Sequence, residues 1–117
     1  MRNDRADRLR LLHMQEAIEE IESYLNGVDF ESFDRDSMVR FACIKQLEII
    51  GEASNHVSEN TKLRFTFVEW NQLRGLRNVL VHQYFGVDIK VIWDILIWDL
   101  QPLKQKKRTY ASRAGMR

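Results

Sequence analysis

Apolar residues recur along the chain at three- and four-residue steps, and no segment alternates convincingly over the length of a strand. Leu11, Met14, Ile18, Ile21 and Leu25 form one stripe and predict a helix over residues 4–25. Asp4 or Asp7 is placed to cap it or to supply a first-turn acid, and Gly27 stands where its end is expected. Glu16, Glu19, Glu20 and Glu22 make its outer face acidic. Residues 28–36 read as a short connection with turn-prone acids. A second long helix is expected from about residue 36 to 57. Met38, Phe41, Ile44, Leu47, Ile50 or Gly51, and Ser54 mark one side of it, and Ala42, Ile49 and Ala53 widen the apolar face. Gly51 lowers helix stability by about 1 kcal/mol relative to alanine, and close approach of another helix is the expected reason for it.

Residues 58–65 read as a polar loop. Thr66 and Glu69 then have the spacing of a capping box, and Phe65 and Trp70 that of a hydrophobic staple, so a third helix is expected to begin near Phe67. It should end between Tyr84 and Gly86, with Gly86 free to take a left-handed exit. Asp88 is a fitting N-cap for a last helix. In that helix Ile89, Ile92, Trp93, Leu96, Leu100 and Leu103 keep the period, while Ile95, Ile97 and Trp98 make it apolar nearly all round. Such a helix is central to its bundle or pressed against another chain. Pro102 should kink or stop it. The pattern predicts an all-α bundle of four to five helices over residues 1–103, followed by a tail over residues 104–117.

Composition narrows this picture. A chain of 117 residues suits one domain, and 44% hydrophobic content is enough for a core without staples. The net charge of +1 gives no global basic field, so affinity for nucleic acid must come from local clusters. The tail is one such cluster: Lys104, Lys106, Lys107, Arg108, Arg113 and Arg117 stand there with no acid among them. It reads equally as a solvated arm and as an attractor of phosphate. Cys43 has no internal partner for a disulfide, and no Cys/His spacing suggests a metal, so a cytoplasmic protein without cofactors is expected. No apolar run approaches a membrane span, and the charged N-terminus has no secretory h-region. His13 and His56 read as surface residues, the latter suiting a helix C-terminus. Glu52 is either partly buried with a cationic partner or turned to solvent.

The chemistry concentrates in residues 74–87, RGLRNVLVHQYFGV, where Arg77, Asn78, His82 and Tyr84 follow one another closely. On a helical wheel with Arg77 at zero, Leu73, Leu76 and Leu80 fall between about −100° and −40°, the edge facing the core. Arg74, Asn78 and His82 fall between about +60° and +140°, and Tyr84 near about −20°. Asn78 and His82 can touch, but Arg77 and His82 diverge by about 140°. Both can point into one groove only if a second surface meets this face or the helix loosens at His82, which favours a cleft shared between two chains. Arg-x4-His alone is weak. A structural Arg77–Glu52 ion pair and a His82 that caps its own helix would explain the residues as well.

The surrounding motifs add specificity. The run IIGEAS at residues 49–54, Trp70, GLRNVLVHQYFGVD at residues 75–88 and VIWDILIWDL at residues 91–100 together resemble the HEPN superfamily, and within it the small HepT-like ribonuclease toxins. The resemblance covers roughly residues 9–104. It implies an antiparallel helical bundle, a homodimer with facing central helices, and metal-independent endoribonuclease activity. Arg77 and His82 match the family's catalytic pair, and Asn78 the polar residue after the arginine. Tyr84 matches the tyrosine that a nucleotidyltransferase antitoxin of the MNT type modifies with AMP in the MntA/HepT pairing. One departure is visible: the family pattern ends on Asp-Leu-Pro, and here Gln101 separates Leu100 from Pro102.

The implied chemistry is coherent with these residue types. RNA supplies its own nucleophile, the ribose 2′-OH. A histidine near neutral pH can take that proton or return one to the 5′-oxygen. Arginine's forked, permanent charge suits a phosphate and the developing phosphorane. Asn78 can position the phosphate or orient His82, and Arg74 and Tyr84 can hold RNA. The products expected are a 2′,3′-cyclic phosphate and a 5′-hydroxyl. Two other readings remain open at this point: a non-catalytic HEPN module that binds nucleotide or RNA beside a nucleotidyltransferase, and a purely structural helical dimer.

Overall fold

The computed structural model of the chain describes the backbone over residues 2–84 and 88–100, and side chains over residues 5–80 and 88–100. Among these residues every regular element is helical. The helices are α1 (Arg2–Tyr24), α2 (Phe30–Arg35), α3 (Ser37–Asn55), α4 (Glu59–Arg64), α5 (Trp70–Tyr84) and α6 (Ile89–Asp94), and α6 runs into a π-helical turn, Ile95–Asp99. The all-α expectation holds. The basic tail and the Pro102 stop lie outside the described residues.

α3 is the middle element, packed against α1 on one side and α5 on the other. The α1 stripe forms as the periodicity predicts: Leu11, Met14, Ile18 and Ile21 are buried against Cys43, Leu47 and Ile50 of α3 within one core. Two polar ties fix α1 antiparallel to α3. Asp7, near the start of α1, meets Ser58 just beyond α3, while Gln46 Nε2 donates to Tyr24 Oη at the other end (3.2 Å). On the opposite side of α3, Gly51 is covered by α5: an added Cβ would lie 3.5 Å from both the Leu73 carbonyl oxygen and Leu76 Cβ. The helices therefore approach closely here, as the glycine implies. Trp93 attaches α6 to α2, its ring 5.1 Å from Phe33 and 5.9 Å from Phe30 between centroids. Cys43 is fully buried, and burial pushes its thiol up to about 11.

Several local expectations change. The two supposed connections hold short helices, because the residues that read as turn formers are caps. Asp29 Oδ1 accepts from Ser32 N (2.9 Å) to start α2, Asp36 Oδ1 accepts from Val39 N (3.2 Å) to start α3, and Ser58 Oγ accepts from Thr61 N (3.4 Å) to start α4. Six-residue helices contain too few apolar positions to show a period. Gly27 takes the left-handed conformation that ends α1, with φ of 75°.

α5 begins at Trp70 rather than at Phe67. Phe65 and Val68 are both buried, and Trp70 Nε1 donates to the Phe65 carbonyl oxygen (3.0 Å). Anchoring those residues holds 66–69 as turns, so burial overrides the Thr66/Glu69 capping pattern. Spacing alone puts Met38 and Phe41 on the apolar side of α3. They are 80% and 55% exposed, since the core begins one turn later at Cys43 and Ile44. The last helix is not one regular stretch: Leu100 N bonds to the Ile95 carbonyl oxygen (3.2 Å) and closes the wide turn. Ile95, Leu96 and Leu100 are buried there, and Trp98 is exposed.

Candidate functional site

α5 carries the candidate residues because its two faces differ in polarity. Leu73, Leu76 and Leu80 are buried against α3, which sets the rotation of the helix. That rotation leaves Arg74, Arg77 and Asn78 exposed. Arg77, on the seam between the two faces, lines a cleft of about 520 Å³ whose floor is α3 and whose walls are α1 and α5. Arg74 and Asn78 face solvent beside it and do not line it. The backbone at His82 and Tyr84 belongs to the same helix, and their side chains lie outside the described residues, as does Gly86.

The cleft holds more charge than α5 alone brings. Arg10 and His13 of α1 line the far wall, and Lys45, Glu52 and His56 line the floor or its end. His56 Nε2 stands 2.9 Å from Glu52 Oε2, and the Glu52 side chain is 65% exposed, so Glu52 is turned to solvent with His56, not Arg77, beside it. Among the described residues Arg77 has no ion pair or hydrogen bond, and the bland explanation by an Arg77–Glu52 bridge falls away. Lys45 and Glu48 form a loose pair at 4.0 Å. An exposed pair of that kind contributes little, on the order of 0–1 kcal/mol. Arg10 Nε is buried and has no hydrogen-bond partner among the described residues.

One turn before Arg10 on the same helix, Asp7 is the reverse case. Its carboxylate is buried and accepts from Ser58 N (3.0 Å), Ser58 Oγ and Thr61 Oγ1. Burial pushes its pKa up, but the hydrogen bonds from Ser58 and Thr61, helped by the charge of Arg10, outweigh that and hold it below the ordinary carboxylate value. Spacing alone offers Asp7 as a cap for α1. It serves instead as an anchor across the fold at the start of α4.

Sequence patterning does not reveal the contribution of α1 and α3 to this cleft. Arg10 and His13 sit at the border between the apolar stripe and the acidic face of α1, and that position is the available signal. Among the described residues no group of three or more His, Cys, Asp or Glu is arranged to hold a metal ion. No helix among them is long and apolar enough to cross a membrane.

With this geometry in place, comparison with known proteins is informative. The family model described as ribonuclease HepT-like matches residues 14–109, which span α2 to α6 and the C-terminal half of α1. The chain is 41% identical over 91 residues to the "Probable ribonuclease HepT" of Thermococcus cleftensis, covering 78% of this chain and 83% of that protein. It is 34% identical over 96 residues to the "Putative RNase MJ1380" of Methanocaldococcus jannaschii, covering 82% and 88%. It is 30% identical over 96 residues to the "Putative RNase TTE0752" of Caldanaerobacter subterraneus subsp. tengcongensis, covering 82% and 86%. No solved structure gives a significant match. The chain belongs to the HepT-like ribonuclease family.

Proposed function

We propose that this chain is the toxin of a toxin–antitoxin pair and cuts RNA as a metal-independent endoribonuclease. The observation that carries the reading is the placement of Arg77: unpaired among the described residues, opening into a cleft, on the helix that presents His82 five residues further on. In this reading His82 takes the 2′-OH proton, the 2′-oxygen attacks phosphorus, and the bond to the 5′-oxygen breaks. Arg77 stabilises the added negative charge, and Asn78 positions the phosphate. The two residues diverge by about 140° on the helix, which favours a homodimer whose second copy brings another His82 to act as the acid. Arg74 and Tyr84 hold RNA at the entrance. A nucleotidyltransferase antitoxin that places AMP on the Tyr84 hydroxyl adds bulk and negative charge there and silences the site. The protein acts in the cytoplasm.

Induced expression of the wild type and of His82→Ala, with mapping of RNA ends, tests this. The wild type should arrest growth and leave 2′,3′-cyclic phosphate ends, and His82→Ala should do neither while it still folds and dimerises. Cleavage by the purified protein that disappears in EDTA and returns with magnesium would overturn the mechanism. Unchanged cleavage by His82→Ala would overturn the role given to His82, whereas a wild-type chain that binds RNA and leaves it uncut would favour the binding-module reading. Tyr84→Phe should keep cutting and lose modification by the partner enzyme.

A further inference from the structure

The cleft extends well past Arg77. Its floor runs along α3 from Lys45 to His56, a length of about 16 Å at helical rise. Arg77 stands on the α5 wall, and Arg10 on the α1 wall. The antiparallel packing of α1, with Asp7 beside Ser58, sets Arg10 toward the His56 end. The cleft is therefore an elongated channel with one arginine on each wall and Lys45 on its floor, where Glu48 and Glu52 also stand. A volume of about 520 Å³ falls in the range that takes a nucleotide-sized ligand.

Arg10 is the informative residue. A buried guanidinium donor without an acceptor is unfavourable, and such groups in folded proteins are usually satisfied. The neighbouring carboxylate, Asp7, is already engaged by Ser58 and Thr61, and it forms no ion pair with Arg10. Arg10 also lines the cleft, so its charge is available to an anion that enters there. The floor beside it offers different chemistry. Asn55 presents both a donor and an acceptor, and the Glu52 carboxylate is an acceptor for amino groups. Cations on the walls with amide and carboxylate groups on the floor match a strand whose phosphates and base edges face different ways.

We propose that this channel binds the single-stranded RNA that flanks the cut. In it Arg10 holds a phosphate beyond the scissile one, Lys45 attracts the strand at the opposite end, and Asn55 with Glu52 meets a base edge. This rests on the ribonuclease reading for the position of the cut and adds the track that guides the strand to it.

The test uses the full chain carrying His82→Ala, so that RNA is not consumed, and a fluorescent single-stranded RNA oligonucleotide as probe. Arg10→Glu should weaken binding by about tenfold and lower the slope of log affinity against log salt by about one. Lys45→Glu, at a 69% exposed side chain where folding is insensitive, should weaken it in the same direction. Arg35→Glu, an exposed charge on α2, should leave binding unchanged. In the chain with His82 intact, Arg10→Glu should raise KM and keep kcat within about twofold, because the residue holds flanking RNA and not the reacting group. Unchanged affinity in folded Arg10→Glu and Lys45→Glu proteins overturns the proposal. So does a change of molecular mass by light scattering without a change in RNA affinity, which would make the channel a contact between copies. Binding that depends on Arg10 in a chain that never cuts RNA would sustain the channel and sink the nuclease reading. Cutting that is indifferent to Arg10 would do the reverse.

Discussion

Asp7 and Arg10 lie one turn apart on α1 and are treated in opposite ways. The carboxylate is buried and fully engaged by a backbone N–H and two hydroxyls from the α4 region. The guanidinium has a buried nitrogen with no hydrogen-bond partner among the described residues, and the side chain lines a cleft shared with Arg77. Charges that hold a fold together are satisfied within the fold. Charges held open at a surface recess are available to something else. The contrast separates the two jobs of α1: its N-terminal turn locks the bundle, and its next turn furnishes the wall of the candidate site.

That separation can be broken by substitution. Arg77→Ala should have the largest effect, lowering RNA cleavage by on the order of 10²–10³ while the melting temperature stays within experimental scatter, since the side chain is exposed and makes no described contact. If instead its stability falls with its activity, Arg77 belongs to the lock. Asp7→Ala should act the other way. Leaving Ser58 and Thr61 without their acceptor should cost about 2–3 kcal/mol by denaturant unfolding, with cleavage per folded molecule unchanged.

Acid should reveal the same anchor. The Asp7 carboxyl is held below its ordinary value of 3.8. As pH falls past that value the unfolded chain takes up the proton first, so the stability contributed by Asp7 is full above it and drains away down to the folded-state pKa. An Asp7→Asn protein should lack this part of the acid sensitivity, which urea unfolding at pH 5 and pH 3 can measure. Gly51→Ala should give the smallest effect. The new methyl meets Leu73 and Leu76 at ordinary contact distance, so the change should be neutral or stabilising by up to about 1 kcal/mol, whereas Gly51→Leu should push α5 away from α3 and destabilise the fold.

The long helices are legible in the sequence because their stripes are long. Four residues of α1 and the α3 set from Ile44 onward repeat often enough to declare a face, and Leu73, Leu76 and Leu80 orient Arg77 correctly. The short helices α2 and α4 are not legible, since Asp29, Asp36 and Ser58 look the same as turn residues until the next turn is seen to bond to them. The start of α5 is misplaced by a local capping pattern that competes with the burial of Phe65 and Val68. Burying those two side chains stabilises the fold by more than one capping hydrogen bond does. The α1 and α3 side of the cleft is hidden for another reason. Arg10, Asn55 and His56 are distant in sequence from Arg77, and only the packing of three helices brings them to one recess.

The buried thiol of Cys43 has a practical consequence. A thiol held near 11 and sealed between α1 and α3 is almost entirely protonated and out of reach at neutral pH. A thiol reagent can then modify it only in molecules whose central helices have momentarily parted. With one cysteine in the chain, the rate of labelling becomes a direct clock for the opening of the bundle. Occupancy of the cleft by any ligand that prefers the closed form would be read as a slowing of that clock.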